Sequence, residues 1–143
     1  MRILGIDMGS KRIGVAVSDE LGITAHAVTT IKRKNKKEDL AAVCALIEEY
    51  GVQEVVIGFP KHLDGRPSEE ASSYVAFGEK IHEMTGIPVS YWDERLTTIE
   101  AERALLEADV RRRRRKQVID RVAACLILEN YLDWRSKQGG AQG

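Results

Sequence analysis

The stretch Ile3–Asp19 reads "ILGIDMGSKRIGVAVSD". Ile3 to Asp7 is a short apolar run that ends in a carboxylate. From Arg12 to Ser18 the apolar residues Ile13, Val15 and Val17 fall at every second position, the period of a half-buried strand. The intervening "MGSK" has turn chemistry, so the two runs are predicted to form an antiparallel hairpin. Asp7 breaks the pattern. A desolvated carboxylate is costly unless it is paired, exposed at the end of the sheet or bound to something positive. What Asp7 holds is therefore the first functional question.

Working outward, Gly22–Ile31 reads as a weaker third strand suited to a sheet edge. The following "KRKNKK" (Lys32–Lys37) reads as a polar connection. Asp39–Tyr50 is predicted helical, with Leu40, Val43, Cys44 and Ile47 on one face and Gly51 as its C-cap. Glu54–Pro60 reads as a strand buried on both faces, and "KHLDGRPS" (Lys61–Ser68) as a loop. A helix from about Ser68 to Thr85 follows, stopped by Gly86, and then a fifth strand, Ile87–Glu94. "TTIEAERALLEA" is a further predicted helix, with Thr97 and Glu100 as a capping box. The last helix is expected from Gln117 to about Arg135. Three meander strands followed by alternating helices and strands predict an α/β fold. Its five-stranded mixed sheet combines a three-strand antiparallel meander with parallel strands, and helices cover both faces. One domain over residues 1–137 and a flexible tail over 138–143 are expected.

The chain has 143 residues, 43% of them hydrophobic and 31% charged, an ordinary globular composition for one domain with a real core. No apolar run approaches membrane-spanning length, and the N-terminus lacks signal-peptide sections, so a cytoplasmic protein without membrane contact is expected. Cys44 and Cys125 lie far apart without C-x-x-C spacing and read as core residues. His26, His62 and His82 are scattered. The 22 basic and 22 acidic residues cancel, but Arg111–Lys116 reads "RRRRRK", a local basic run able to meet a polyanion.

Three acids stand at element ends: Asp7, the pair Asp93 and Glu94 after the fifth strand, and Asp120 near the start of the last helix. At about 100° per residue, Asp120 shares a face with Ala123, Ala124, Ile127, Tyr131 and Trp134. It thus heads an apolar stripe, a departure from pattern of the kind that marks functional sites. Each acid alone is explained by a local basic partner. Three together favour a site for Mg²⁺ or Mn²⁺, since oxygen-rich clusters suit hard cations. Two such ions about 3.5–4 Å apart support phosphodiester hydrolysis.

"GIDMGSKRIGVAVSD", "VVIGFPKHLDG", "DERLTT" and "VIDRVAACLILENYL" together resemble the YqgF/RuvX family, in order and over nearly the whole chain. The resemblance implies an RNase H-like fold, shared with the Holliday-junction resolvase RuvC, and a metal-dependent nuclease. It maps the catalytic acids and metal ligands to Asp7, Glu94 and Asp120, with Asp93 in the same motif. The implied substrates are the 5′ end of the 16S rRNA precursor or, as the alternative, a four-way DNA junction. Phe59 departs mildly, standing where Leu is common.

Several groups are candidates for holding nucleic acid. Arg111, Arg112, Arg113, Arg114, Arg115 and Lys116 precede a helix whose dipole disfavours them, so phosphate neutralisation is the preferred reading over a solvated run. Without interleaved aromatics, backbone recognition is expected and base stacking is not. Arg12 either contacts phosphate or pairs with Asp7 or Asp19. Arg95 either clamps substrate or holds the neighbouring acid. Lys61 and Arg66 lie in a loop expected at the same sheet edge as Asp7. His62 reads as exposed before it reads as a general acid, and Thr97 and Thr98 as helix caps. A sugar-kinase-like phosphate hairpin in "DMGS" is disfavoured because the core is present once and no Walker motif occurs. A catalytically idle RNA-binding, ribosome-assembly module is the third reading. The partners expected are thus nucleic acid and a ribosomal subunit precursor, with the chain a monomer or, for junction cleavage, a homodimer.

Overall fold

The computed structural model describes residues 1–9, 11–59, 69–93 and 115–142. Side chains are described at all of these except 59, 69–71, 93, 115–122 and 138–142. The elements run β1 (Arg2–Met8), β2 (Arg12–Ser18), β3 (Ala25–Lys32), α1 (Lys36–Tyr50), β4 (Val52–Phe59), α2 (Glu69–Thr85), β5 (Val89–Asp93) and α3 (Arg115–Gln142). The five strands form one sheet in the order β3-β2-β1-β4-β5. β1 pairs antiparallel with β2, and β2 with β3, while β4 runs parallel to both β1 and β5. This is the mixed sheet that the hairpin pattern predicts, with β3 at an edge.

Alternation along β1 divides the core. Leu4, Ile6 and Met8 pack with Ile13, Val15 and Val17 of β2 beneath α1 and α2, where Leu40, Val43, Ile47, Phe77 and Ile81 complete a buried cluster. Ile3 faces the other way, with Ala16, Val56 and Trp92, against Ala124, Ile127, Leu128, Tyr131 and Leu132 of α3. Helices therefore cover both faces, as the mixed sheet requires. No helix among the described residues is long and apolar enough to cross a membrane.

Several boundaries differ from the sequence reading; β4 starts at Val52 and β5 at Val89, and four others have a physical reason. α1 begins at Lys36 instead of Asp39, because the Asn35 side chain accepts from the Glu38 N–H at 2.8 Å and caps the helix. Part of the predicted polar connection is thus the first turn of a helix. β3 starts at Ala25 and not at Gly22, since Asp19 Oδ1 accepts from the N–H groups of Ile23 and Thr24 and folds that segment into a turn. Those two bonds hold the Asp19 carboxyl below its ordinary value. α3 opens at Arg115, so Arg115 and Lys116 are part of the helix and do not precede it. It continues to Gln142 where the sequence reading ends it near Arg135, since extending an existing helix costs far less than nucleating one. The helix predicted after Glu94 lies outside the described residues.

The two cysteines are half-buried, not core. Trp134, expected in the inward stripe, is 47% exposed, while Leu128 and Leu132 take inward positions. Tyr131 remains buried, and its hydroxyl donates to Glu54 at 2.6 Å. Arg135 donates to the same carboxylate at 2.9 Å, fastening α3 to β4.

Gly5 sets how closely α3 approaches the sheet. A Cβ there would lie 2.8 Å from Leu128 Cβ and 3.1 Å from the Ala124 carbonyl oxygen. Gly5→Ala is expected to lower stability by about 1–3 kcal/mol through overpacking, read as a lower urea midpoint with an unchanged m-value.

Candidate functional site

Asp7 is the penultimate residue of β1, and alternation places it after Ile3 and Gly5 on the face that α3 covers. It is 8% exposed, one of few buried polar residues in the described chain. Its cross-strand partner is Gly14, which offers no side chain to crowd the carboxylate. The strand ends there because Gly9 N–H turns back to the carbonyls of Asp7 (3.2 Å) and Arg12 (2.9 Å). α2 holds the same point from the opposite face, where Tyr74 Oη donates to the Met8 carbonyl at 2.8 Å.

α3 runs antiparallel to β1. Leu132 lines a cavity with Met1 and Ile3, and Ala124 and Leu128 sit over Gly5. The turn before Ala124, which contains Asp120, is therefore carried toward the Asp7 end of the strand. The Asp120 side chain lies outside the described residues, as do Glu94, Arg95, Lys61, Arg66, Arg111–Arg114 and the side chains of Asp93, Arg115 and Lys116. No group of three metal-ligating side chains occurs among the described residues.

Trp92 forms the lateral wall. It pairs with Gly58, the residue after the Ile57 that faces Ile6, so it stands level with Asp7 two strands away. That separation is about 10 Å. Trp92 packs on the α3 face at 6.1 Å and edge-on to Tyr131, and its buried Nε1 has no hydrogen-bond partner among the described residues.

Arg12 is the one predicted substrate contact whose side chain is described. It is half-buried, shares the α3 face with Gly14 and Ala16, and makes no ion pair among the described residues. As the diagonal neighbour of Asp7 across the β1–β2 pair, its Cα lies about 8 Å away. Pairing with Asp19 does not occur, because Asp19 stands at the opposite end of β2 and is engaged by its own turn.

Sequence reasoning missed a brace beside the site. Arg33 donates to the Gly9 carbonyl at 2.9 Å, and its backbone N–H donates to the Lys11 carbonyl at 2.9 Å. Arg33 Nε in turn stands 3.9 Å from the carboxylate of Asp39, which is 5% exposed and accepts from the Lys34 N–H. The turn after Asp7 is thus locked to the start of α1. An acid four residues after an N-cap asparagine was the available signal.

Five strands in this order, helices on both faces and a buried acid ending the central strand define an RNase H-like domain. The family model described as "RuvX: Holliday junction resolvase" matches residues 1–134, and the chain belongs to that family. A relative from Moorella thermoacetica, "Putative pre-16S rRNA nuclease", is 51% identical over 139 residues, covering 97% of this chain and 99% of that protein. The solved structure of Thermus thermophilus RuvC is similar with a TM-score of 0.59 at 15% identity, covering 96% of this chain and 97% of that one. T. thermophilus RuvC in complex with Holliday junction substrate is similar with a TM-score of 0.57 at 16% identity, over 95% and 96% of the two chains. At those identities the likeness shows the fold.

Neither cysteine is a nucleophile for this site. Burial pushes the Cys44 thiol up, and burial with Glu129 beside it pushes Cys125 up from 9.0 to about 11. Both thiols stay protonated at neutral pH, which disfavours them as nucleophiles. The folded chain holds the Cys125 proton where the unfolded chain has lost it. That stabilising contribution is whole below pH 9 and disappears as pH rises through about 11. In a Cys44→Ser protein, alkylation of Cys125 by iodoacetamide, followed by mass spectrometry, is expected to stay slow at pH 8–9 and to accelerate toward pH 11.

Proposed function

We propose that this protein hydrolyses phosphodiester bonds in structured nucleic acid, with the 16S rRNA precursor at its 5′ end as substrate. The observation that carries this reading is Asp7, a buried carboxylate ending the central strand of a resolvase-type fold, beneath the helix that carries Asp120. The substrate rests on the names of relatives about half identical over nearly the full chain.

Asp7, Glu94 and Asp120 are the residues that would hold divalent cations. Their fit is chemical: an all-carboxylate donor set suits Mg²⁺ or Mn²⁺ and is poor for softer metals. Asp7 is withdrawn from water, where a carboxylate needs compensating positive charge. The family resemblance carried by "DERLTT" favours Glu94 over Asp93. When bound, such ions stabilise charge on the phosphate and ease deprotonation of the attacking water. Arg12 orients the scissile phosphate from the neighbouring strand. Arg95, Lys61, Arg66 and the run Arg111–Lys116 hold the nucleic-acid backbone.

The family description and the resolvase fold favour a second reading, cleavage of a four-way DNA junction. That reaction needs paired cuts by a symmetric dimer, whereas precursor processing needs no such symmetry.

Cleavage of end-labelled 16S precursor RNA and of a four-way DNA junction separates these readings. The wild type is expected to cut the RNA with Mg²⁺ or Mn²⁺ and to stop in EDTA. Asp7→Asn is expected to cut roughly 10³-fold more slowly, since a metal site contributes several kcal/mol to the barrier. Metal-dependent cutting of the junction alone, by a dimer in sedimentation, would select the second reading. Equal cutting by Asp7→Asn would remove Asp7 from the catalytic assignment, and cutting of neither substrate would leave a binding module without chemistry.

A further inference from the structure

Eleven basic side chains are described in this structure, and their pairing divides them by place. Arg2, Arg33, Lys80, Arg135 and Lys137 each stand within 4 Å of a carboxylate, on Glu20, Asp39, Glu83, Glu54 and Asp133. The other six, Lys11, Arg12, Lys32, Lys34, Lys36 and Lys37, form no ion pair among the described residues. All six lie at one corner of the fold. Lys11 and Arg12 come from the β1–β2 turn and the start of β2. Lys32 ends β3 directly opposite Arg12, Lys34 is in the next loop, and Lys36 and Lys37 open α1. Five are exposed and Arg12 is half-buried.

This corner is the end of the sheet where Asp7 sits. Ile31 packs beneath α1 and α2, so the next residue, Lys32, faces the α3 side with Arg12 and Asp7. From there the charges pass round the sheet's end through Lys11 and Lys34 to the start of α1. Among the described residues, the acids at this corner are Asp7, Glu38 and Asp39, and Asp39 is buried against Arg33.

Fold stability does not explain the arrangement. Lys36 and Lys37 occupy the first two positions of a helix, where the macrodipole is already positive and cations are unfavourable. Among the described cations at this corner, Arg33 is the one whose guanidinium braces a turn. A protein of zero formal net charge has gathered its unpaired described cations at one corner, within reach of a buried acid.

We propose that this corner is a contact surface for the phosphodiester backbone, carrying a strand of the substrate away from Asp7 across β2 and β3 to the start of α1. It is separate in sequence from the run Arg111–Lys116. It rests on the nuclease reading for its ligand class alone. Lys11, Lys32, Lys34, Lys36 and Lys37 are positioning residues that neutralise phosphates without reading bases, since no aromatic side chain interleaves with them.

The test is equilibrium binding by the full chain in EDTA, read by fluorescence anisotropy with labelled 16S precursor RNA and a labelled four-way DNA junction over a salt series. Lys36→Gln/Lys37→Gln is compared with Lys80→Gln/Lys137→Gln, which makes the same charge change far from the corner. Lys32→Gln/Lys34→Gln samples the β3 side independently of α1. Each corner pair is expected to weaken binding roughly tenfold or more at 0.1 M salt and to flatten the log K against log salt slope by about 1.4–1.8. The Lys80/Lys137 pair is expected to leave the slope unchanged. The Tm of the Lys36/Lys37 variant is expected to hold or rise, so weaker binding would not report unfolding.

Corner and control pairs with the same slope would overturn the proposal, as would wild-type protein that binds neither probe in a salt-dependent way. A corner pair that binds normally while Asp7→Asn is inactive would sink this proposal and leave the nuclease reading intact. Weakened binding by the corner pairs alongside an active Asp7→Asn would do the reverse. Weakening with one probe alone would support the surface and name RNA or DNA as its ligand.

Discussion

The close approach of α3 to Gly5 is the contact on which the rest of the α3 face depends. Without a side chain at that position, Leu128 and the Ala124 backbone lie directly on the central strand. That contact fixes both the height of the helix and its register along β1. Asp7 is two residues beyond Gly5 on the same face, and Asp120 is one turn before Ala124. The register that buries Leu128 and Leu132 therefore also brings the two acidic positions to one end of the sheet. At the opposite end, Glu54 accepts from both Tyr131 and Arg135 and prevents the helix from sliding. Packing at one end and a polar clamp at the other fix where α3 lies along β1.

The turn after Asp7 has a second level of support. It is held from below by Tyr74 and from the side by Arg33, itself anchored on the buried Asp39. Rigid support of this kind suits a charged group that must meet a ligand in one geometry. The neighbouring lysines have no such anchors and stay exposed. One cation in the corner builds the fold and the five lysines face solvent, although Arg33 and Lys34 are adjacent in sequence. The difference lies in what each side chain reaches.

Strand and helix identity was legible because the periods were clean. Ile13, Val15 and Val17 alternate, and their side chains share one cluster. The boundaries were less legible where polar side chains decide them. Asn35 starts α1 and Asp19 shapes the turn before β3 through bonds to backbone N–H groups a few residues on. Hydropathy carries no record of such bonds. Trp134 was misplaced for another reason: the sheet beneath α3 selects Leu128 and Leu132 for the inward face, and the helical period permits either choice.

The order of strong periodic segments, the turn between β1 and β2 and an acid closing the central strand were determined by the sequence alone, because they depend on spacing within a few residues. Tertiary structure decided which face Asp7 shares, since strand parity has meaning only once a helix covers one side. It also decided that "KRKNKK" is more than a polar connection, since Lys32 ends β3 and Lys36 and Lys37 open α1. Its charges join Lys11 and Arg12, some twenty residues earlier, because β3 pairs with β2 and ends where β2 begins. A run of lysines and arginines reads the same whether it is solvated or functional. Only the folded chain shows which carboxylates lie close enough to pair with it, and at this corner five lysines and Arg12 are left without one among the described residues.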